Sequence, residues 1–294
     1  MSAIDTPDPQ AGTARSGAQS GFQPGSGPMP AARPGRVRSR RSFPTLRTVT
    51  ALMLREMTTS YGRNPGGYLW AVLEPALGTM LIAFIFSLGF RTPSLGTHFG
   101  LFIATGLLPF MMWAHLTSKI GSAINYSKAL LVYPSVTFLD AILARFLLNA
   151  LTQLMVSYLV LSFILVVLDV PASIRVDRIA LGYAMALALG LGFGVINCFV
   201  FSMVPVWQQV WSILTRPLFF LSGVIFLFDS FPQPYRDWLW WNPLIHVTGA
   251  VRAGFYARYD APYVHPIYVF ALSALLLAAG LMFLRRYHSD ILNQ

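Results

Sequence analysis

The chain has 294 residues, of which 55% are hydrophobic and 11% charged, with a mean hydropathy of +0.58 and a formal net charge of +10. That balance is too apolar for one or two soluble domains and places the chain in a bilayer. The positive excess sits beside the apolar segments, where attraction to anionic lipid headgroups accounts for it, so nucleic acid is not an expected partner.

Residues 1–44 are rich in Pro, Gly, Ser, Ala and Arg and carry hardly any apolar residue to bury, which predicts a disordered basic tail followed by a membrane domain over 45–294. A secretory signal peptide needs an apolar core of about 7 to 15 residues near the start; none stands before Tyr68, so the N-terminus is expected to be retained. Beyond the tail, Leu46, Val49, Leu52, Met53 and Met57 recur at helical spacing, while Arg47, Thr50, Arg55 and Thr58 fall largely elsewhere. This predicts an amphipathic helix in the inner headgroup layer, and the run Asn64-Pro65-Gly66-Gly67 turns the chain from it into the membrane.

A transmembrane helix needs about 20 mainly apolar residues to cross roughly 30 Å of hydrocarbon. Windows at about 68–90, 100–118, 141–168, 179–204, 209–228 and 266–284 meet that test, so the expected fold is an all-α polytopic membrane protein with six transmembrane helices. Pro109 interrupts the second window, and Arg216 with Pro217 interrupts the fifth. In the first, Glu74 precedes Pro75 about six residues, or roughly 9 Å, into the span. Two readings of Glu74 stand side by side: an anchor near the headgroups, paired with Arg63 or a partner chain, and an ionisable group acting in transport. The lone cysteine, Cys198, excludes an intramolecular disulfide and reads as a small buried hydrophobe.

Arginine placement orients the chain. The densest basic block runs from Arg33 to Arg63, and positive residues favour the cytoplasmic side; with six crossings the C-terminus, flanked by Arg285 and Arg286, lies inside too. The segment 229–265 then faces outward. It holds Phe231, Tyr235, Trp238, Trp240, Trp241, Phe255, Tyr256, Tyr259 and Tyr263, and Asn242-Pro243 has the residue types of a helix N-cap and first helical position. Two short re-entrant helices are expected before the last span, at about 233–241 and 243–256. The rings fit an ordinary interfacial aromatic belt, and equally a surface on which sugar rings slide; Arg252 and Arg258 fit headgroup anchors as well as contacts to acidic sugars or lipid phosphate.

Catalytic signatures are missing from the sequence. There is no phosphate loop of the form GxxxxGK[ST], no zinc-ligand spacing and no serine nucleophile elbow, and His98, His115, His246, His265 and His288 are scattered. No cofactor is expected.

Met53-Leu54-Arg55-Glu56, Tyr61-Gly62-Arg63, Gly67-Tyr68-Leu69-Trp70 and Glu74-Pro75 resemble the entry into the first span of ABC-2 type export permeases, especially those that export capsular polysaccharide. Trp241-Asn242-Pro243-Leu244-Ile245-His246 with Val251-Arg252-Ala253-Gly254-Phe255-Tyr256 is similar to the stretch before the last span in the same family. Ser127-Lys128-Ala129-Leu130-Leu131 with Ala144-Arg145-Phe146-Leu147-Leu148 is a weaker match. The resemblance implies a non-enzymatic inner-membrane subunit that pairs with a second copy of itself and two copies of a separate ATPase. Together they would move a lipid-linked polysaccharide outward, alongside periplasmic and outer-membrane export proteins. Tyr68, Trp70, Glu74, Trp238, Trp240, Trp241, Arg252 and Tyr256 are the candidate gate or pathway residues.

A permease without its own phosphate loop must receive force through a cytoplasmic surface. The long inner loop, about 119–140, carries the apolar knob Ala129, Leu130, Leu131, Val132 and Tyr133, preceded by Lys128 and closed by Pro134. This predicts a brief docking helix, with Arg55 of the interface helix beside it, as the ATPase-coupling surface; the alternative is that Leu130 and Leu131 pack under the bundle. Two other function classes are weighed against export by an ABC complex. A proton-coupled secondary transporter often shows internal repeats, and a glycolipid-modifying enzyme needs a polar catalytic cluster; the sequence has neither.

Overall fold

Helix is the only regular structure among the described residues, as expected for backbone that must satisfy its own polar groups away from water. The computed structural model describes residues 44–61, 67–89, 93–131, 137–169 and 173–293. Residues 1–43 of the expected tail, the glycine elbow at 62–66, and Val132, Tyr133 and Pro134 of the expected docking knob lie outside them. Among the described residues ten α-helices run in order: α1 (Pro44–Tyr61), α2 (Gly67–Gly89), α3 (Phe99–Gly121), α4 (Ala123–Leu131), α5 (Phe138–Val167), α6 (Val176–Met203), α7 (Trp207–Leu221), α8 (Tyr235–Trp240), α9 (Pro243–Phe255) and α10 (Pro266–Asn293). All belong to one compact unit, residues 43–294.

Four of these, α3, α5, α6 and the Pro266–Tyr287 part of α10, are long and apolar enough to cross a membrane. In α2 the described apolar stretch is the shorter Leu73–Gly89. The fifth expected window needs correction: α7 has 15 residues, about 22 Å at 1.5 Å per residue, and stops at Leu221 instead of running to 228. The turn beyond Leu221 causes the stop. Gly223 takes φ +70°, which ends the helix, and the carbonyls of that turn are drawn inward by a buried arginine of α9. Neither proline interrupts its helix as expected, since α3 runs unbroken through Pro109 and α7 continues past Arg216 and Pro217 to Leu221.

The core forms around α3, whose residues Leu101 to Phe110 are all buried. It lies against α2, α5, α6 and α9, and α6 in turn packs along α10. A stripe of small residues four apart on α6, Gly182, Ala186, Gly190, Gly194 and Cys198, admits close neighbours: Gly182 lies against Val247 and Val251 of α9, and Gly190 and Gly194 lie against α3. A Cβ on Gly190 would meet Leu116 at 2.8 Å, and one on Gly194 would meet Ile120 at 2.7 Å. Cys198 is fully buried as the last member of that stripe, the environment of a small hydrophobe.

The helix starts reflect local chemistry. Asn242 accepts the Leu244 N–H at 3.1 Å with Pro243 opening α9, so the two short helices expected before the last span form within two residues of their sequence bounds. At α5, the Thr137 hydroxyl accepts the Asp140 N–H while the Asp140 carboxylate accepts the Thr137 N–H, a reciprocal cap.

Candidate functional site

At one end of the bundle, α1, α4 and α5 meet. Of the expected stripe on α1, Val49 is buried and Leu52, Met53 and Met57 are half-buried while Leu46 in the first turn is exposed, and the same face also carries Glu56, which is buried. Its partner is Arg145 of α5, equally buried, with Nε 3.3 Å from Oε2. Arg145 Nη1 also donates to the Lys119 carbonyl at 2.7 Å and to Ser122 Oγ at 2.8 Å, which ties it to the end of α3. The guanidinium lies 4.1 Å from the ring centre of Tyr126 in α4, and Arg55 of α1 lies 5.4 Å from the same ring. Thr59 of α1 shares a hydrogen bond with the Tyr126 hydroxyl. Arg55 is therefore beside the short loop helix, joined through Tyr126.

The loop helix differs from expectation in register. It begins at Ala123, directly after the Ser122 turn that ends α3, so Lys128 is exposed in its last turn instead of preceding it. Ala129, Leu130 and Leu131 are helical in α4, and their side chains lie outside the described set. Glu56 and Arg145 stand in the stretches that resemble the family, but neither they nor Tyr126 are among the candidate site residues read from the sequence. A carboxylate on the apolar stripe 49–52–53–56 was the available signal for the first of them.

At the other end, α8, α9 and the segments around them hold the aromatic residues. Trp238 and Trp241 are exposed, at 74% and 67%, whereas Trp240 is half-buried. Trp240 stacks on Tyr268 at 5.4 Å, meets His246 edge-on at 5.2 Å, and donates its indole N–H to the Tyr263 carbonyl at 3.2 Å. Trp238 and Tyr235 open onto an apolar cavity of about 520 Å³ whose inner wall is Trp113, Phe193 and Trp211. Burial pushes the hydroxyls of Tyr259 and Tyr263 up from their ordinary values, keeping both protonated for the 3.0 Å hydrogen bond between them.

Arg252 stands apart from the cavity. It is 2% exposed and donates to the carbonyls of Gly223 (2.6 Å), Val224 (2.7 Å) and Phe226 (3.2 Å), with its guanidinium 4.3 Å from the ring centre of Phe102. Those contacts hold the turn after α7 against α9 and α3. Tyr256 is half-buried and, with Arg258, lines a second cavity near Gly96 and Ser173. On α2, Trp70 and Glu74 are exposed and Pro75 is buried; Tyr68 lies in the first turn, its side chain outside the described set.

A helical bundle with a surface helix, a short helix joined to it at one end and two aromatic-rich short helices at the other defines the class. Residues 47–256 match the ABC-2 type transporter family, and the chain belongs to it. Among its relatives, the polysialic acid transport protein KpsM of Escherichia coli is 31% identical over 246 residues, covering 84% of this chain and 95% of KpsM. The capsule polysaccharide export inner-membrane protein CtrC of Neisseria meningitidis is 30% identical over 249 residues, 83% of this chain and 92% of CtrC. BexB of Haemophilus influenzae, also a capsule polysaccharide export inner-membrane protein, is 25% identical over 246 residues, with coverages of 83% and 92%.

Proposed function

We propose that this chain is the permease subunit of an ABC exporter that carries a lipid-linked capsular polysaccharide outward across the bacterial inner membrane. The observation that carries the reading is near end-to-end similarity to transport and export proteins named for polysialic acid and capsule polysaccharide. In this reading residues 1–44 form a disordered cytoplasmic tail and 45–294 the membrane domain. The domain crosses six times, α2 and α7 supplying the first and fifth crossings, with both termini cytoplasmic and α8 and α9 re-entering the outer leaflet. The working unit holds two copies of the chain and two copies of a separate ATPase, and periplasmic and outer-membrane proteins receive the polymer. The chain is a transport subunit and performs no chemistry of its own.

The α1–α4–α5 end is the coupling surface. Lys128, Ala129, Leu130, Leu131 and Tyr133 meet the ATPase, and Arg55 braces them from α1. The tie from Tyr126 through Arg145 to Glu56 supports this assignment, because a push on α4 reaches the interface helix and the long α5 through Tyr126 and the buried Arg145–Glu56 pair. The exposed Trp238 and Trp241 and the aromatic cavity behind Trp238 support a sugar-contacting surface, since an aromatic face packs on the C–H face of a pyranose. Trp240 braces that region through Tyr268 and His246, Tyr256 lines the second cavity, and Arg252 acts on the pathway by holding the turn after α7. Tyr68, Trp70 and Glu74 form the entry side.

Deletion of the gene tests the function. Surface polysaccharide should disappear while lipid-linked polymer accumulates inside, and restoration of the gene should reverse both. Normal surface polysaccharide in the deletion strain would refute the export assignment.

A further inference from the structure

We propose that an anionic glycerophospholipid is seated in a groove between α5 and α6, with an acyl chain in the groove and its phosphate at Arg258. It is a resident lipid of the bilayer, separate from the exported polymer, and only its placement in the outer leaflet rests on the six-crossing reading.

The groove is a mainly apolar cavity of about 420 Å³ that reaches the surface at Tyr158, Ile174 and Val176, all exposed, and is lined at one end by Phe255 of α9. Among the hydroxyls on its wall, those of Ser157 and Tyr183 are buried; the two residues are 3% and 7% exposed. The two groups influence one another, yet neither oxygen completes a hydrogen bond within the protein, and a mutual bond would use only one of their two O–H donors. A buried donor at hydrocarbon depth has no water to turn to, so an unused one calls for an acceptor carried by a ligand.

At its Ile174 end the groove adjoins the second cavity, of about 620 Å³, because Phe255 lines both and Ser173 of one precedes Ile174 of the other. That cavity is more polar: Thr97, Ser173, Tyr256 and Arg258 line it, and Tyr256 Oη is buried without a hydrogen-bond partner. Gly96, at φ +74°, brings the loop before α3 against the Tyr256 ring. Arg258 is exposed and, among the described residues, makes no ion pair or hydrogen bond, whereas Asp177 and Asp260 are paired with Arg178 and Arg175. An apolar groove that leads to an unpaired arginine matches a molecule with a hydrocarbon chain at one end and a phosphate at the other. The depths agree as well. With α5 and α6 centred on a hydrocarbon core of roughly 30 Å, Tyr183, about 10 Å from Val176, and Ser157, about 15 Å from Val167, fall about 4 and 8 Å inside its edge. Donors at that level reach the ester carbonyls just beneath a phospholipid headgroup. The groove shares no lining residue with the aromatic cavity behind Trp238, which sets this lipid apart from the proposed path of the polymer.

Lipid binding to the full chain, purified in detergent and washed free of lipid, tests the site. Native mass spectrometry with dioleoyl phosphatidylglycerol or dioleoyl phosphatidylethanolamine as the probe should show a single tight phosphatidylglycerol per chain, held about fivefold more tightly than phosphatidylethanolamine, the effect of one arginine near an anionic lipid. Arg258→Gln should erase that preference. Tyr183→Phe with Ser157→Ala should weaken both lipids several-fold, and Ala180→Phe, which fills the groove from its exposed wall, should remove the tight site. Arg258 and Ala180 are exposed, so both of those variants keep the fold, as an unchanged unfolding temperature in lipid-free detergent would show. Equal binding of the two lipids by the wild type, a preference that survives Arg258→Gln, or unweakened binding in either groove variant overturns the proposal. So does a wild-type groove closed to both lipids, the result expected if a partner's helix or a second copy of the chain filled it. Neither probe carries a sugar, so failure here leaves the export reading intact, and a tight lipid in a chain whose deletion leaves surface polymer intact would refute export and leave the site standing.

Discussion

Replacing Glu56 with Gln tests whether the buried cluster transmits force. The substitution keeps the shape of the side chain and removes its charge, leaving the Arg145 guanidinium 5% exposed with only neutral partners: the Lys119 carbonyl at 2.7 Å, Ser122 Oγ at 2.8 Å and the face of Tyr126 at 4.1 Å. Breaking a buried ion pair from one side costs about 3 to 5 kcal/mol. The remaining contacts offset part of that, which places the expected loss near the lower bound, about 3 kcal/mol, or roughly a hundredfold at about 1.4 kcal/mol per tenfold. In the purified complex, thermal unfolding should shift downward and substrate-dependent ATP turnover should fall. Pairing Glu56→Gln with Arg145→Met removes both charges and should recover most of the thermal stability, as replacement of a whole buried pair often does. Turnover should stay low in the double variant, because the tie between α1 and α5 is still missing. Wild-type unfolding and turnover in the single variant would refute this account of the cluster.

Other consequences are equally direct. Leu131→Asp should abolish co-purification of the ATPase with normal membrane insertion, whereas Leu276→Asp in α10 should impair insertion instead; undiminished binding with Leu131→Asp would remove the coupling assignment. Trp238→Ala and Trp241→Ala should reduce export more than they reduce protein level, while Trp240→Ala, which removes a stacked and hydrogen-bonded ring, should reduce both together, read by export against immunoblot. Arg252→Ala leaves three carbonyls without their donor and should destabilise the fold by about 3 kcal/mol or more, visible as lost protein, with Arg252→Lys intermediate. Reporter fusions at Gln294 should read as cytoplasmic and near Tyr235 as periplasmic; a periplasmic Gln294 would contradict the six-crossing topology.

What the sequence made legible was local. The 3.6-residue recurrence over 46–57 marked α1, and Asn242-Pro243 marked the start of α9, because caps and periodicity are written in neighbouring residues. The end of α7 was not legible from hydropathy, since the run stays apolar to Phe228 and is cut by a glycine at positive φ and by an arginine from α9. The Glu56–Arg145 pair joins residues 89 positions apart, so only the misplaced carboxylate on an apolar stripe hinted at it. Three neighbouring tryptophans also look alike in sequence, yet Trp240 is the one that stacks on Tyr268, meets His246 edge-on and donates to the Tyr263 carbonyl, and that choice is made by residues far along the chain. Conversely, Glu74-Pro75 and Arg216-Pro217 both stood out as charges before prolines inside apolar runs; their outward direction needed the structure.

The central claim, polysaccharide export powered by a separate ATPase, is tested most directly in inside-out membrane vesicles containing this chain, its ATPase and lipid-linked polymer. The account predicts that polymer becomes protected from an added glycan hydrolase only when ATP is supplied and both subunits are present. Protection driven by a proton gradient without ATP would contradict it.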